Sequence, residues 1–259
     1  MSYNATRPTP GAIALLGSGE YLDIMTSTDS YLLETLGAVN SARVVLLPTA
    51  SGLEEQGMIY WNNLGREHFQ GLGVREIRET AIIDRASAGD PEQLALLHDA
   101  DLYYFSGGDP QHLINTLRGS PAWEIIAAAY ARGAVLAGCS AGAMALSGYT
   151  IALRRMLQGD LPGWAPALGV VPRLVVLPHF DRMAAFIDRA VFEELLSGLP
   201  AGHIAVGIDE NTALVRIEAP AGGEPSAPAL WRVMGEQTVK VFDQGITPRS
   251  LNVGEDVLL

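Results

Sequence analysis

Apolar residues fall into short runs of three to five, which alternate with longer stretches of mixed apolar and polar residues. The short runs have the length and composition of buried strands. Such runs are the strand candidates Ala12–Leu16, Val44–Leu47, Leu102–Phe105, Val135–Ala137 and Leu174–Leu177. Val74–Ile77, which has Arg and Glu between its apolar ends, is a further strand candidate. Helical patterns lie at Met58–Leu72, Pro91–His98, Gln111–Leu117 and Ala122–Arg132, and one further helix is predicted from Asp181, as its cap, to Leu199. Strands that alternate with helices form parallel sheets covered on both faces.

Beyond residue 199 the pattern changes to short strand candidates without helices between them. They lie at Ile204–Ile208, Ala213–Ile217, Leu230–Val233 and Val239–Phe242, with a loop rich in Pro, Ala and Gly at Glu218–Pro228. The predicted fold is therefore α/β with three layers: a mostly parallel central sheet, helices on both faces, and antiparallel strands at the C-terminal edge. We expect residues 11–259 to form a single domain and residues 1–10 to form an N-terminal arm.

The segment 138–142, Gly-Cys-Ser-Ala-Gly, follows a strand candidate and has the G-x-S-x-G pattern of a nucleophile elbow. A serine on such a sharp strand-to-helix turn needs glycine neighbours, because a side chain there would collide with the crowded backbone. The pattern predicts Ser140 as a nucleophile. A glycine-rich turn with a solvated serine is the alternative. Cys139 stands beside the central position, where we expect its side chain to pack into the strand.

A second glycine-rich turn follows the strand candidate Leu102–Phe105, in the segment 106–110, Ser-Gly-Gly-Asp-Pro. Acyl transfer needs backbone N–H groups that stabilise the developing oxyanion, and one of them comes from a loop near the nucleophile's own turn. The N–H groups of Gly108 and Ala141 are the candidates. A plain strand-to-helix turn is the alternative.

His179 stands at the carboxyl end of the strand candidate Leu174–Leu177, and functional groups gather at that end of strands in open α/β sheets. We therefore expect it on the same rim as Ser140, as the general base. The other four histidines, for which we expect surface or structural roles, are His68, His98, His112 and His203. Glu210, next to Asp209 in an acidic turn, is the candidate acid that orients the base.

Taken in order along the chain, these segments resemble the serine peptidase family of aspartyl dipeptidase (dipeptidase E) and cyanophycinase, whose fold is similar to that of class I glutamine amidotransferases. The matching segments are 17–20 (Gly-Ser-Gly-Glu), 47–51 (Leu-Pro-Thr-Ala-Ser), 107–109 (Gly-Gly-Asp), 138–143 (Gly-Cys-Ser-Ala-Gly-Ala), 178–180 (Pro-His-Phe) and 207–213 (Gly-Ile-Asp-Glu-Asn-Thr-Ala). They cover about residues 11–216. The resemblance implies a triad of Ser140, His179 and Glu210. Because some members use an aspartate shortly after the nucleophile, Asp160 is the alternative acid.

The chain departs from the cyanophycinase pattern around the histidine. Cyanophycinases carry Asp-Gln before it and spaced arginines after it, which engage a polymer of aspartate and arginine. Here Leu177 and Pro178 precede His179, and the segment 183–186 is Met-Ala-Ala-Phe. We therefore expect hydrolysis of a short peptide and no cyanophycinase activity. Candidate substrate-binding residues are Asp109 and Arg182, and Arg154 and Arg155 are further basic groups near the motifs.

Composition limits the other classes of function. A net charge of −12 argues against nucleic-acid binding, which needs clustered lysine and arginine. The single cysteine rules out an internal disulfide, and no zinc-type spacing or other sign of a metal or cofactor is present. Apolar stretches fall short of the ~18 residues of a membrane span, and no signal peptide is apparent, so we expect a cytoplasmic protein. The expected partners are a small peptide and, in a homodimer, a second copy of the chain. An amidase and a catalytically idle scaffold remain alternative functions.

Overall fold

The computed structural model describes residues 10–151, 163–220, 224–243 and 245–259. Within them, the largest sheet has eight strands. In spatial order these are β14 (Asp256–Leu258), β11 (Leu230–Gly235), β10 (Thr212–Glu218), β1 (Ile13–Leu16), β5 (Val135–Cys139), β4 (Leu102–Phe105), β2 (Arg43–Leu47) and β3 (Glu76–Glu79). The five strands from β1 to β3 are parallel to one another, whereas β10, β11 and β14 are antiparallel to their neighbours. This arrangement confirms the predicted fold class.

Helices flank the sheet on both faces. They are α1 (Thr26–Thr35), α2 (Gly57–Gly71), α3 (Pro91–Leu97), α4 (Pro110–Leu117), α5 (Pro121–Ala131), α6 (Ala141–Leu146), α7 (Phe180–Phe186) and α8 (Arg189–Ser197). Every residue of β1 is buried, and its alternate side chains belong to two different apolar clusters. One cluster includes Leu32 and Leu33 of α1, and the other includes Leu113 of α4. Burial on both faces explains why the central strands are continuous apolar runs.

A second, four-stranded sheet was not predicted. Its strands are, in order, β13 (Arg249–Asn252), β12 (Thr238–Phe242), β9 (Ile204–Ile208) and β8 (Leu174–Leu177). Strand β8, which we expected in the same open sheet as the elbow strand, pairs in parallel with β9 instead. The inner face of this sheet shares one apolar cluster with the main sheet through Val176, Val206 and Ile208. A short hairpin of β6 (Tyr149–Ile151) and β7 (Trp164–Pro166) completes the described strands.

The prediction of one helix from Asp181 to Leu199 is wrong. The backbone is extended at Ile187, and the side chain of Asp188 accepts hydrogen bonds from the N–H groups of Ala190 and Val191. This local capping starts a second helix, because aspartate competes well for free N–H groups at a helix start. Nor does Asp181 cap the first helix, since α7 already begins at Phe180.

Candidate active site

Ser140 occupies the turn between β5, which ends at Cys139, and α6, which begins at Ala141. Its backbone has φ 49° and ψ −109°, a conformation that non-glycine residues rarely adopt. Glycine is required at the two flanking positions, because other backbone atoms come very close to them. A Cβ at Gly138 would lie 2.6 Å from the carbonyl carbon of Gly142, and one at Gly142 would lie 2.3 Å from the carbonyl oxygen of Phe105. The predicted elbow geometry is therefore present.

His179 follows β8 and has left-handed backbone angles, φ 49° and ψ 39°. Its Nε2 lies 2.9 Å from Ser140 Oγ, within hydrogen-bond distance. The serine hydroxyl can donate to Nε2 if the ring proton is on Nδ1. The imidazole side chain is 41% exposed, so the pair opens onto the surface.

Glu210 lies in the turn that connects β9 of the second sheet to β10 of the main sheet. Its Oε1 is 3.1 Å from His179 Nδ1, so the carboxylate can accept the Nδ1 proton. The backbone of the turn is held in place as well. The Glu210 N–H donates to Asp181 Oδ1, and the Gln237 side-chain amide donates to the Glu210 carbonyl. The neighbouring carboxylate of Asp209 instead accepts from the N–H of Thr238.

Arg182 contacts the candidate acid directly. Its Nε lies 2.7 Å from Glu210 Oε2, on the oxygen that does not face the histidine. We predicted this arginine as a partner for a substrate carboxylate, but the structure gives its guanidinium a partner within the chain. Asp109, the other predicted substrate-binding residue, caps α4 by accepting from the His112 N–H.

One candidate oxyanion donor, Ala141, directly follows Ser140, and the other, Gly108, directly follows Gly107, where a Cβ would lie 3.6 Å from Ser140 Cβ. Gly108 has φ 138°, and a Cβ there would lie 2.4 Å from the carbonyl oxygen of Ala50, so only glycine fits. Ala141 begins α6. Within the described ranges, the N–H groups of Gly108 and Ala141 donate no hydrogen bond. Two donors without protein acceptors beside a serine could stabilise negative charge on a substrate oxygen.

Cys139 is fully buried, and its thiol donates to Glu20 Oε2 over 2.8 Å. Burial, and secondly the Glu20 carboxyl, raise the pKa of the thiol well above its usual value. A thiol held in the protonated state is a poor nucleophile. The sequence gives no sign of this contact, because Glu20 and Cys139 are 119 positions apart.

Asp160, Arg154 and Arg155 lie outside the described residues. Among the residues that are described, no three or more His, Cys, Asp or Glu side chains are grouped to hold a metal ion. In the same part of the chain, no helix has the length and apolar character needed to cross a bilayer.

Comparison with solved structures supports the fold. A crystal structure of a peptidase from an acI-B1 Actinobacterium superposes with a TM-score of 0.81 at 32% identity, covering 98% of each chain. A crystal structure of a candidate peptidase E of Listeria monocytogenes superposes with a TM-score of 0.54 at 19% identity, covering 80% of this chain and 94% of the other. The second likeness concerns the fold alone.

Sequence relatives are more distant. Cyanophycinases of Synechococcus elongatus and Thermosynechococcus vestitus are each 28% identical over 209 residues, which is 78% of this chain and 59% of theirs. The chain thus spans about three fifths of the length of these relatives. The model of Peptidase family S51 matches residues 13–221, which include the elbow, the histidine and the acidic turn. The predicted resemblance to this serine peptidase family is thereby confirmed, and the chain belongs to peptidase family S51.

Proposed function

We propose that the chain hydrolyses short peptides, with Ser140, His179 and Glu210 as its catalytic triad. The observation that carries this proposal is a continuous relay of hydrogen bonds. It runs from Ser140 Oγ to His179 Nε2 over 2.9 Å and from His179 Nδ1 to Glu210 Oε1 over 3.1 Å. Membership of a peptidase family and the strained backbone of the serine support the same chemistry.

In the acylation step, Ser140 Oγ attacks the carbonyl carbon of the substrate and its proton moves to His179 Nε2. Glu210 holds the tautomer with the proton on Nδ1 and stabilises the imidazolium that forms. The N–H groups of Gly108 and Ala141 donate to the oxyanion. The imidazolium then gives its proton to the leaving amine as the C–N bond breaks, and an acyl-serine remains.

Deacylation repeats the sequence with water. His179 takes a proton from the water as its oxygen attacks the acyl carbon, and Ser140 leaves with that proton. Product is a free carboxylate, and the enzyme returns to its starting state. Besides the substrate and one water molecule, this cycle uses the triad and the two backbone N–H groups.

The proposed substrate is a short peptide whose first residue is small, apolar or singly acidic. Helix α7, which follows the histidine, carries one basic residue, Arg182, and its guanidinium is already paired with Glu210. Phe186 at the end of the same helix is 88% exposed. A polymer rich in charged side chains would find few charged partners here, so we expect no cleavage of cyanophycin.

Labelling with a fluorophosphonate tests the nucleophile without knowledge of the substrate. We expect the wild-type protein to be labelled at Ser140, and Ser140→Ala to lose labelling and to reduce peptide hydrolysis by about 10⁴–10⁶-fold. Cys139→Ala is the matched control at the adjacent position and should keep the labelling rate within about tenfold, because its thiol is not activated.

The outcomes separate the alternatives. If folded Ser140→Ala keeps hydrolysis within tenfold of wild type, Ser140 is not the nucleophile. A wild-type protein that is not labelled favours the idle scaffold. Labelling accompanied by hydrolysis of a side-chain amide, with none of dipeptides or N-blocked peptides, favours the amidase.

A further inference from the structure

Glu20 is a buried carboxylate that the proposed cycle does not use. It lies four residues after β1 and is 7% exposed. Its two oxygens have different partners: Oε1 accepts from the Gly107 N–H over 2.8 Å, and Oε2 accepts from the Cys139 thiol over 2.8 Å. A carboxylate that is buried and bonded through both oxygens is held in one orientation.

Each partner of Glu20 immediately precedes a part of the candidate catalytic machinery. Gly107 stands directly before Gly108, the candidate oxyanion donor, and Cys139 stands directly before the nucleophile. The two segments belong to different strand ends, those of β4 and β5. The Glu20 side chain therefore links the loop that contains Gly108 to the turn that contains Ser140.

The segments around Gly107 and Ser140 are packed closely against Glu20. A Cβ at Gly107 would lie 2.9 Å from Glu20 Oε1 and 3.6 Å from Ser140 Cβ, so the three groups are packed together. Because the Gly107 N–H donates to Glu20, the next N–H in the loop, that of Gly108, is the one left for an oxyanion. Oxyanion donors act only when they lie within hydrogen-bond distance of the position that the oxyanion occupies.

We infer that Glu20 is a positioning residue, which sets the separation between the oxyanion donor Gly108 and the nucleophile Ser140 by bridging Gly107 and Cys139. This inference rests on the proposed function, since it assigns Glu20 a role toward the proposed oxyanion site. Glu20 does not itself touch the reacting atoms. Glu20 also adds to the effect of burial, which is the larger cause of the raised pKa of the Cys139 thiol.

The test compares rates of Ser140 phosphonylation by a fluorophosphonate, whose phosphoryl oxygen needs the oxyanion donors as a substrate carbonyl does. The maximal rate at saturating reagent is measured per folded molecule, well below each variant's unfolding temperature. We expect Glu20→Ala to lower this rate by about tenfold to hundredfold, since the loss of a positioned donor costs about 10²–10³-fold and misplacement costs less. Glu20→Gln keeps an oxygen for the Gly107 N–H and should recover most of the rate.

Two further variants separate positioning from simple loss of a buried group. Cys139→Ala removes one end of the bridge and should cause a smaller loss than Glu20→Ala. Asp29→Ala removes another fully buried carboxylate, which pairs with His68 on α2, and should lower stability without changing the maximal rate.

Equal maximal rates for Glu20→Ala and wild type would overturn the inference while leaving the proposed function intact. So would equal losses in Glu20→Ala and Asp29→Ala, because the effect would then follow stability alone. Absence of labelling in the wild-type protein would instead refute the proposed function, so the two failures are distinguishable.

Discussion

At the scale of single residues, the candidate acid Glu210 contacts a different side chain through each of its oxygens: His179 through Oε1 and Arg182 through Oε2. Arg182 is 69% exposed, so water screens much of its charge. Its main effect is then geometric, because it fixes the carboxylate that faces the imidazole. We therefore propose that Arg182 supports the acid, and its binding of a substrate carboxylate stays a prediction.

We predict a ranking of activities for variants of this pair. Glu210→Gln should reduce turnover by about 10²–10⁴-fold, because a neutral amide neither fixes the tautomer nor stabilises the imidazolium. Arg182→Gln should reduce it by less than about tenfold, as expected for a screened ion pair. Arg189→Gln is the matched control, since Arg189 pairs with Glu193 on α8 and should leave turnover unchanged.

The measurement is the initial rate with any peptide that the wild-type protein cleaves, divided by the concentration of fluorophosphonate-titrated sites. Asp160→Asn belongs in the same series. A severe loss of turnover in Asp160→Asn together with a mild loss in Glu210→Gln would identify Asp160 as the acid of the triad. A rise of KM in Arg182→Gln at constant kcat would instead show that Arg182 binds the substrate.

At the scale of elements, the segment after the histidine is divided into two helices by the capping aspartate Asp188. The first helix, α7, carries Arg182 and places Asp181 against the acidic turn. The second, α8, buries Leu195 with Phe180 and Phe242 in a third apolar cluster. Both helices thus contribute to this cluster, α7 through Phe180 and α8 through Leu195.

Asp188→Ala should lower the free energy of unfolding by about 1 kcal/mol, because two N–H groups at the start of α8 lose their acceptor. For a chain of this size, that corresponds to a fall in the unfolding temperature of about 2–4 °C. Asp188→Asn retains a capping oxygen and is the control. Thermal unfolding of wild type, Asp188→Ala and Asp188→Asn measures these changes. Equal falls in the unfolding temperature for the two variants would contradict the capping role.

At the scale of the whole molecule, the proposed triad spans both sheets. Ser140 follows a strand of the main sheet, His179 follows a strand of the second sheet, and Glu210 lies where the chain passes from one sheet to the other. Their hydrogen-bond geometry therefore depends on how the two sheets pack through their shared apolar cluster.

On the opposite face of the main sheet, Asp29 of α1 and His68 of α2 form a buried pair, with His68 Nε2 and Asp29 Oδ2 2.8 Å apart.

Burial raises the pKa of Asp29 above its usual value of 3.8, although its bond to His68 opposes the shift. The folded protein therefore holds the Asp29 proton more tightly than the unfolded chain does. The contribution of this group to stability is fully present below the unfolded pKa and is lost as pH rises through the folded pKa. Asp29→Asn should lack this loss.

Urea unfolding of wild type and Asp29→Asn between pH about 4 and about 7 measures the difference, because the contributions of groups that do not contact Asp29 cancel between the two proteins. His68 contacts Asp29, so the same pair of proteins is also compared in a His68→Gln background. We expect the wild-type stability to fall relative to that of the variant as pH rises. Parallel curves, or the opposite trend, would contradict the raised pKa.

The sequence by itself determined the features that depend on a few neighbouring residues. Backbone crowding at Gly138 and Gly142 identifies the elbow, and burial on both faces makes the central strands continuous apolar runs, so the fold class and the family were predictable. The polar helix α1, whose buried face includes Thr28 and Asp29, was not predicted because its pattern is weakly amphipathic.

Only the tertiary structure decided which distant groups meet. Ser140 and His179 are 39 positions apart, and Cys139 and Glu20 are 119 positions apart. No local periodicity encodes such contacts, because they depend on strand order and on the packing of one sheet against another. For the same reason the sequence indicated neither the second sheet, nor the pairing of Arg182 with Glu210, nor the bridge that Glu20 forms between two strand ends.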